Sequence, residues 1–332
     1  MKALLSLRVG GPGTLALCEL PDPVAAAGQL GVRVLACALN FPDLLIIEDR
    51  YQVKPPRPFA PGAKLCGEVT DVGAGVAGWN TGDRLIAVVT HGGLSERLVV
   101  QADRAIPLPP GKDPTEGAAF LLTYATANYA LVDRGELRRG ETLLVLGAAG
   151  GVGLAAVEMG KLLGARVIAA TSTPEKAAIA RSAGADETIT YGEADLQGDA
   201  QRDFAAALKR VLGPEGAQVV CDPVGGSLAE PALRSLGFGG RYLVVGFAAG
   251  IPRMPLNLAL LKCCDIRGVY WGAYVERHPG ENRRGIERLL AWWKDGLLRP
   301  RVDRIFDLAH GREAMQYVAD RKAMGKVVVT VA

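Results

Sequence analysis

Thr142-Leu143-Leu144-Val145-Leu146-Gly147-Ala148-Ala149-Gly150-Gly151-Val152-Gly153 decides how this 332-residue chain is read. The apolar run is short and uncharged, as a strand buried on both faces should be. A glycine turn follows, and then a helical pattern from Gly151 to Leu163. Laid on G-x-G-x-x-G, the turn reads Ala148-x-Gly150-x-x-Gly153, with alanine in the first glycine position. Gly150 lets the backbone approach a pyrophosphate, and Gly153 lets the helix pack against the strand. The unpaired N–H groups and dipole at the helix start favour an anion there. Ala149, Gly150, Gly151, Val152 and Gly153 are therefore candidate cofactor contacts. The alternative is a tight strand–helix turn with no ligand.

The next strand, Arg166–Thr171, leads into Ser172-Thr173, and no carboxylate stands before Glu175. An NAD site usually has Asp or Glu there, bonded to the ribose 2′-hydroxyl. Ser172 offers a hydroxyl and Lys176 a cation, which suits a 2′-phosphate and predicts NADPH over NADH. Further strands are read at Ala217–Asp222, Arg241–Phe247 and Asp265–Tyr270, with helices at Pro114–Leu131 and Pro174–Ala183. Strand–helix alternation predicts an α/β, doubly wound parallel sheet. Val224 and Phe247 fall just past strand ends, where open α/β sheets bind ligands. Tyr191 follows the third strand and is placed beside an adenosine.

The first 110 or so residues differ. Short β-rich runs (Met1–Leu7, Gln29–Leu39, Cys66–Val72, Arg84–Val89, Leu94–Val100) are broken by Gly and Pro clusters, as in a small barrel or sandwich. Past Tyr274 the alternation stops. Helices are predicted at Arg284–Asp295 and Gly311–Arg321, with a closing strand at Lys326–Val331. The expected organisation is a β-rich domain over 1–122, a dinucleotide domain over 123–274, and a return to the first domain over 275–332.

Composition narrows the class. There are 38 basic and 35 acidic residues, a net charge of +3, and no basic stripe, so nucleic acid is not expected. The six cysteines form no C-x-x-C pair and read as reduced core thiols. The uncharged stretches fall short of the roughly 20 apolar residues of a membrane span. A cytoplasmic protein is expected. The 42 glycines predict many tight turns.

An ordered set of stretches resembles the zinc-free quinone oxidoreductase branch of the medium-chain dehydrogenase/reductase superfamily. They are Ala38-Leu39-Asn40-Phe41-Pro42-Asp43, Tyr51 to Gly67, Gly73–Arg84, Thr123-Tyr124-Ala125-Thr126, Gly147–Gly153, Val245-Gly246-Phe247 and Gly325-Lys326-Val327-Val328. The resemblance implies a Rossmann domain inserted in a GroES-like catalytic domain, NADPH as cofactor, and a homodimer. It places Asn40 and Tyr51 in the active-site cleft, Asn40 as an amide donor and Tyr51 as a donor to a substrate oxygen or to a positioned water, with Asp43 holding Tyr51 or the loop. It also implies Thr126 at the nicotinamide end and Arg321 at the 2′-phosphate. Zinc relatives carry Cys where Asn40 stands and Gly-His-Glu where Gly62-Ala63-Lys64 stands. The three histidines, His91, His278 and His310, are scattered, and no zinc is expected.

Two departures stand out. Lys64 replaces a usual glutamate, which would either favour an anionic substrate or move an internal ion pair. Asp49-Arg50 precedes Tyr51 where a glycine is common, which predicts a blunter turn. The expected activity is metal-free hydride transfer from NADPH to a quinone or α,β-unsaturated carbonyl. The alternatives are an enoyl-thioester reductase (acryloyl- or crotonyl-CoA-like), with Lys54, Arg57 and Lys64 as a basic mouth, and an NADPH-binding protein without turnover.

Overall fold

Strand β1 (Lys2–Ser6) and strand β2 (Leu15–Glu19) form an antiparallel hairpin that pairs Lys2 with Glu19. Strand β3 (Gln29–Leu39) is the organiser of the β-rich part. Side chains alternate across a strand, and β3 uses both faces. Leu30, Val32 and Val34 enter one apolar core, while Cys37 and Leu39 enter another. Helix α1 (Phe41–Ile47) follows directly. Strands β4 (Lys64–Val72), β5 (Arg84–Val88), β6 (Arg97–Gln101) and β7 (Ala105–Pro107) then extend the sheet.

Helix α2 (Pro114–Asn128) passes into a π-type turn over Tyr129–Arg134, closed by the Gly135 N–H on the Ala130 carbonyl at 2.6 Å. Next come β8 (Thr142–Leu146), α3 (Gly151–Leu162), β9 (Arg166–Thr171), α4 (Pro174–Ser182), β10 (Glu187–Thr190) and α5 (Gly198–Leu212). They are followed by β11 (Ala217–Asp222), α6 (Ala229–Arg234), β12 (Leu236–Val244), α7 (Asn257–Lys262), β13 (Asp265–Gly268), α8 (Trp271–Arg277) and α9 (Pro279–Lys294). The chain closes with β14 (Val302–Asp307), α10 (Gly311–Ala319) and β15 (Lys326–Thr330).

The computed structural model describes residues 1–192 and 196–331. They divide into two units, Met1–Leu122 with Pro300–Ala332, and Thr123–Arg299. The first unit carries a sheet in the order β14-β15-β3-β4-β5-β7, with β6 also on β3. The second carries six strands in the order β10-β9-β8-β11-β12-β13, every described pairing parallel. Counted within the unit this is 3-2-1-4-5-6, the Rossmann arrangement, and the order reverses between β8 and β11. All five residues of β8 are buried. Each large apolar side chain there contributes about 1.5–3 kcal/mol by leaving water.

The return to the first unit comes at Pro300, not at 275. Helix α9 buries Ile286, Leu289 and Trp293, and its Arg288 donates to Asn128 Oδ1 at 2.7 Å within the second unit. The sixth strand is shorter than predicted and lies at the sheet edge, where it is mostly exposed. Cys263 is exposed in a left-handed conformation (φ 48°) at the end of α7, so it is not a core thiol; Cys264 is buried. Helix α5 was not evident from the local run of residues, although Phe204, Leu208 and Leu212 form its buried stripe at a spacing of four.

Candidate active site

In the first unit, Asn40 leaves β3 in an extended conformation (φ −135°, ψ 162°) and caps α1. Asp43 Oδ2 accepts the Asn40 backbone N–H at 2.7 Å, and the Asp43 N–H donates to the Asn40 carbonyl at 2.9 Å. Pro42 sits in the first turn, where no N–H is needed. The Asp43 side chain is fully enclosed, and its Oδ2 also accepts Lys64 Nζ at 3.0 Å. These bonds tie the carboxylate to the cap that begins α1.

Lys64 is buried on this pair. Of the two readings of the glutamate-to-lysine departure, the internal ion pair is the one the geometry realises. Lys326 enters the same cluster from β15. Its Nζ donates to the Leu39 carbonyl at 2.6 Å and to Asn40 Oδ1. Burial first, and then the nearby Lys64 charge, bring the Lys326 ammonium down to about 7, against the pull of Asp43. Burial and the Asp43 charge push the adjoining Cys37 thiol up to about 12, so it is inert as a nucleophile. With Oδ1 engaged by an ammonium, Asn40 keeps its Nδ2 group as a donor.

Tyr51 is half-buried against the core that contains Leu44 and Ile47. The turn before it is not blunted. Asp49 adopts φ 55°, the left-handed region a glycine would otherwise fill. Arg57 holds both Asp49 carboxylate oxygens at 2.9 and 3.1 Å and the Ile47 carbonyl at 2.9 Å. Arg57 and Lys64 are thus both engaged in ion pairs, and only Lys54 of the expected basic mouth is exposed.

In the second unit, the turn after β8 meets the turn after β11. Gly147 has φ 58°, and a Cβ on it would lie 2.5 Å from Val224 Cγ2. A Cβ on Gly153 would lie 2.3 Å from the Gly147 carbonyl oxygen, so glycine is required for the close helix–strand contact. A Cβ on Gly150 would meet only the Gly147 oxygen, at 3.4 Å, which leaves that face open to a ligand. Gly150 caps α3 without a side chain. The first-turn N–H groups at Gly151, Val152 and Gly153 have no acceptor within the helix. A pyrophosphate fits this donor set. The Ala149 side chain is buried, so only its backbone is available to a cofactor.

Asp222 organises the neighbouring turn. Its Oδ1 accepts the Val224 and Gly225 N–H groups, each at 2.8 Å, and its Oδ2 accepts the Tyr242 hydroxyl at 2.6 Å. Burial raises the Asp222 carboxyl despite these bonds. Half-exposed Phe247 lies beside Gly225. Past β9, Lys176 Nζ donates to Ser172 Oγ at 3.0 Å, and Thr173 caps α4. Tyr191 sits edge-on to Phe204, with centroids 5.7 Å apart. Thr126 is half-buried on α2. Arg321 is exposed with φ 57° and belongs to the first unit, whereas Ser172 and Lys176 belong to the second.

Residues 26–110 match the family model described as the alcohol dehydrogenase GroES-like domain, and residues 151–290 match that described as zinc-binding dehydrogenase. A quinone oxidoreductase-like protein 2 homolog from Nematostella vectensis is 35% identical over 305 residues, covering 91% of this chain and 81% of the relative. The chain belongs to the quinone oxidoreductase branch of the medium-chain dehydrogenase/reductase superfamily. Two solved structures of similar proteins match along their whole length. The quinone oxidoreductase of Thermus thermophilus, described also in complex with NADPH, is 35% identical with TM-score 0.83, covering 99% of this chain and 100% of that one. The CurK enoyl reductase is 25% identical with TM-score 0.88, covering 100% and 99%. Among the described residues of this oxidoreductase, no group of three or more His, Cys, Asp and Glu is placed to hold a metal ion. Among those residues, no helix is long and apolar enough to cross a membrane.

Three residues of the site escaped the sequence reading of their roles: Lys326, Asp222 and Arg57. Lys326 opens an apolar strand, and nothing in that local run gives it a partner. Only the pairing of β15 with β3 carries it to Asn40. The Asn40–Asp43 spacing was a usable signal, since a capping pair three residues apart starts a helix.

Proposed function

We propose that the protein is an NADPH-dependent reductase that transfers hydride to a quinone or to the β-carbon of an α,β-unsaturated carbonyl without a metal. The observation that carries this reading is the open Gly150 turn at the sheet's switch point, with Ser172 and Lys176 at the end of the next strand. The loop amides hold the pyrophosphate, and the hydroxyl–ammonium pair receives the 2′-phosphate. Bound NADPH supplies the hydride. Val224 and Phe247, together with Thr126, line the nicotinamide end, and Tyr191 flanks the adenosine. In the first unit, Asn40 Nδ2 donates to the oxygen on which charge develops. Tyr51 donates beside it or holds a water. Arg321 adds a second cation for the 2′-phosphate.

The enoyl-thioester alternative draws support from the likeness to the CurK enoyl reductase. The ion pairs that occupy Arg57 and Lys64 weigh against a basic mouth for a carrier phosphate. Steady-state NADPH oxidation with 1,4-benzoquinone, cyclohexenone and crotonyl-CoA tests the choice. Faster turnover of a quinone or enone is expected, and a thioester preferred by orders of magnitude would overturn it. Tight NADPH binding with no turnover across the panel would favour the non-catalytic alternative. We also infer a homodimer formed along edge strand β13, where Ile266 is exposed and the preceding helix α7 exposes Leu260 and Leu261. A monomer by light scattering would contradict that.

A further inference from the structure

We propose that Lys326 is a positioning residue that fixes which way round the Asn40 carboxamide sits, and that Lys64 sets how firmly it does so. The proposal rests on the reading above, in which Asn40 donates to the acceptor's oxygen. An ammonium has three donors and no acceptor. Lys326 Nζ already donates to the Leu39 carbonyl at 2.6 Å, and its contact with Asn40 must be to Oδ1. The carboxamide is thereby held with Nδ2 on the far side from the ammonium. A neutral amine has a lone pair and would accept from Nδ2, which turns the amide round. The lock therefore depends on the Lys326 proton.

The groups around that proton are few. Cys37 faces Lys326 from β3, Asp43 from α1 and Lys64 from β4. One carboxylate thus serves two buried ammonium groups, and Asp43 Oδ2 is already bonded to Lys64 and to the Asn40 N–H. Beside β15, Asp303 on β14 is engaged with the Met324 N–H and the Tyr317 hydroxyl. Helix α10 presents Ala314 and Met315 to the same core. Burial and the Lys64 charge both loosen the proton, to a midpoint of about 7. The prediction is an Asn40 donor that is presented below that midpoint and released above it.

The test is an NMR titration of the full-length protein with ¹³C-labelled lysine and ¹⁵N-labelled amides. Lys326→Arg and Asn40→Asp assign the two signals. The expected result is that Lys326 Cε and the Asn40 side-chain amide titrate together. In Lys64→Met, and in Lys64→Gln as a second variant, both midpoints should rise by roughly one pH unit or more, since a like charge is removed. The alkaline limb of kcat, falling roughly tenfold per pH unit, should shift with them, while KM for NADPH stays constant. An Asn40 amide that ignores the Lys326 titration, or midpoints that separate in the Lys64 variants, would overturn the proposal. Coupled titration without turnover of any quinone or enone sinks the functional reading and leaves the positioning role standing. Turnover without coupling does the reverse.

Discussion

The candidate site in each unit is built from different materials. In the second unit it is mostly backbone: a glycine turn, the start of α3, and one hydroxyl–ammonium pair contributed by residues 147 to 176. In the first unit it is a side-chain cluster assembled from β3, α1, β4 and β15, with Lys326 reaching Asn40 across 286 positions of sequence. A backbone cradle tolerates many sequences so long as its glycines remain. A buried charge cluster depends on every member, because one missing partner leaves a charge alone in a low dielectric.

Breaking the charge cluster should therefore produce the largest effect. Asp43→Asn leaves Lys64 buried without its carboxylate and should cost about 3–5 kcal/mol of stability, read as a lower denaturation midpoint. An unchanged midpoint would mean that the pair is less buried than the 0% exposure of Asp43 implies. Asn40→Ala removes the donor itself. It should lower kcat about 100-fold with NADPH affinity preserved, and equal losses in both would place Asn40 in folding. Gly150→Ala meets no backbone clash, so the fold should hold while NADPH affinity drops about 10–100-fold from the methyl intruding on the phosphate. Lys176→Ala should narrow the preference for NADPH over NADH about tenfold; an unaltered ratio would assign the 2′-phosphate elsewhere.

A smaller, graded effect sharpens the contrast through pH. Lys326 is lowered from its ordinary value of 10.5 to about 7 in the folded protein. Between those limits the unfolded chain binds more protons than the folded one, so stability rises with pH across the window. It rises by about 1.4 kcal/mol per pH unit from this group. Chemical denaturation in that window should show the slope, and Lys326→Met should flatten it.

The same contrast explains what the sequence disclosed. The glycine turn, its strand and its helix are contiguous, so periodicity and spacing revealed the parallel sheet and the loop together. The Ser172–Lys176 pair was legible for the same reason. The second domain boundary was not, because α9 alternates like a surface helix whichever unit it packs on. Lys64 was visible as a departure, but its meaning required β4 and α1 to be brought side by side. Asp49 misled because an aspartate in a left-handed turn needs a partner, and Arg57 is eight residues away across two prolines.

If NADPH binds in one unit and the donor to the acceptor stands in the other, the two jobs can be separated by substitution. The decisive measurement pairs NADPH fluorescence titration with quinone turnover on Gly150→Ala and Asn40→Ala, each checked for an unchanged melting temperature. Gly150→Ala should lose NADPH affinity, while Asn40→Ala should bind NADPH normally and lose turnover. Normal NADPH binding by Gly150→Ala, or full turnover by Asn40→Ala, would contradict that separation.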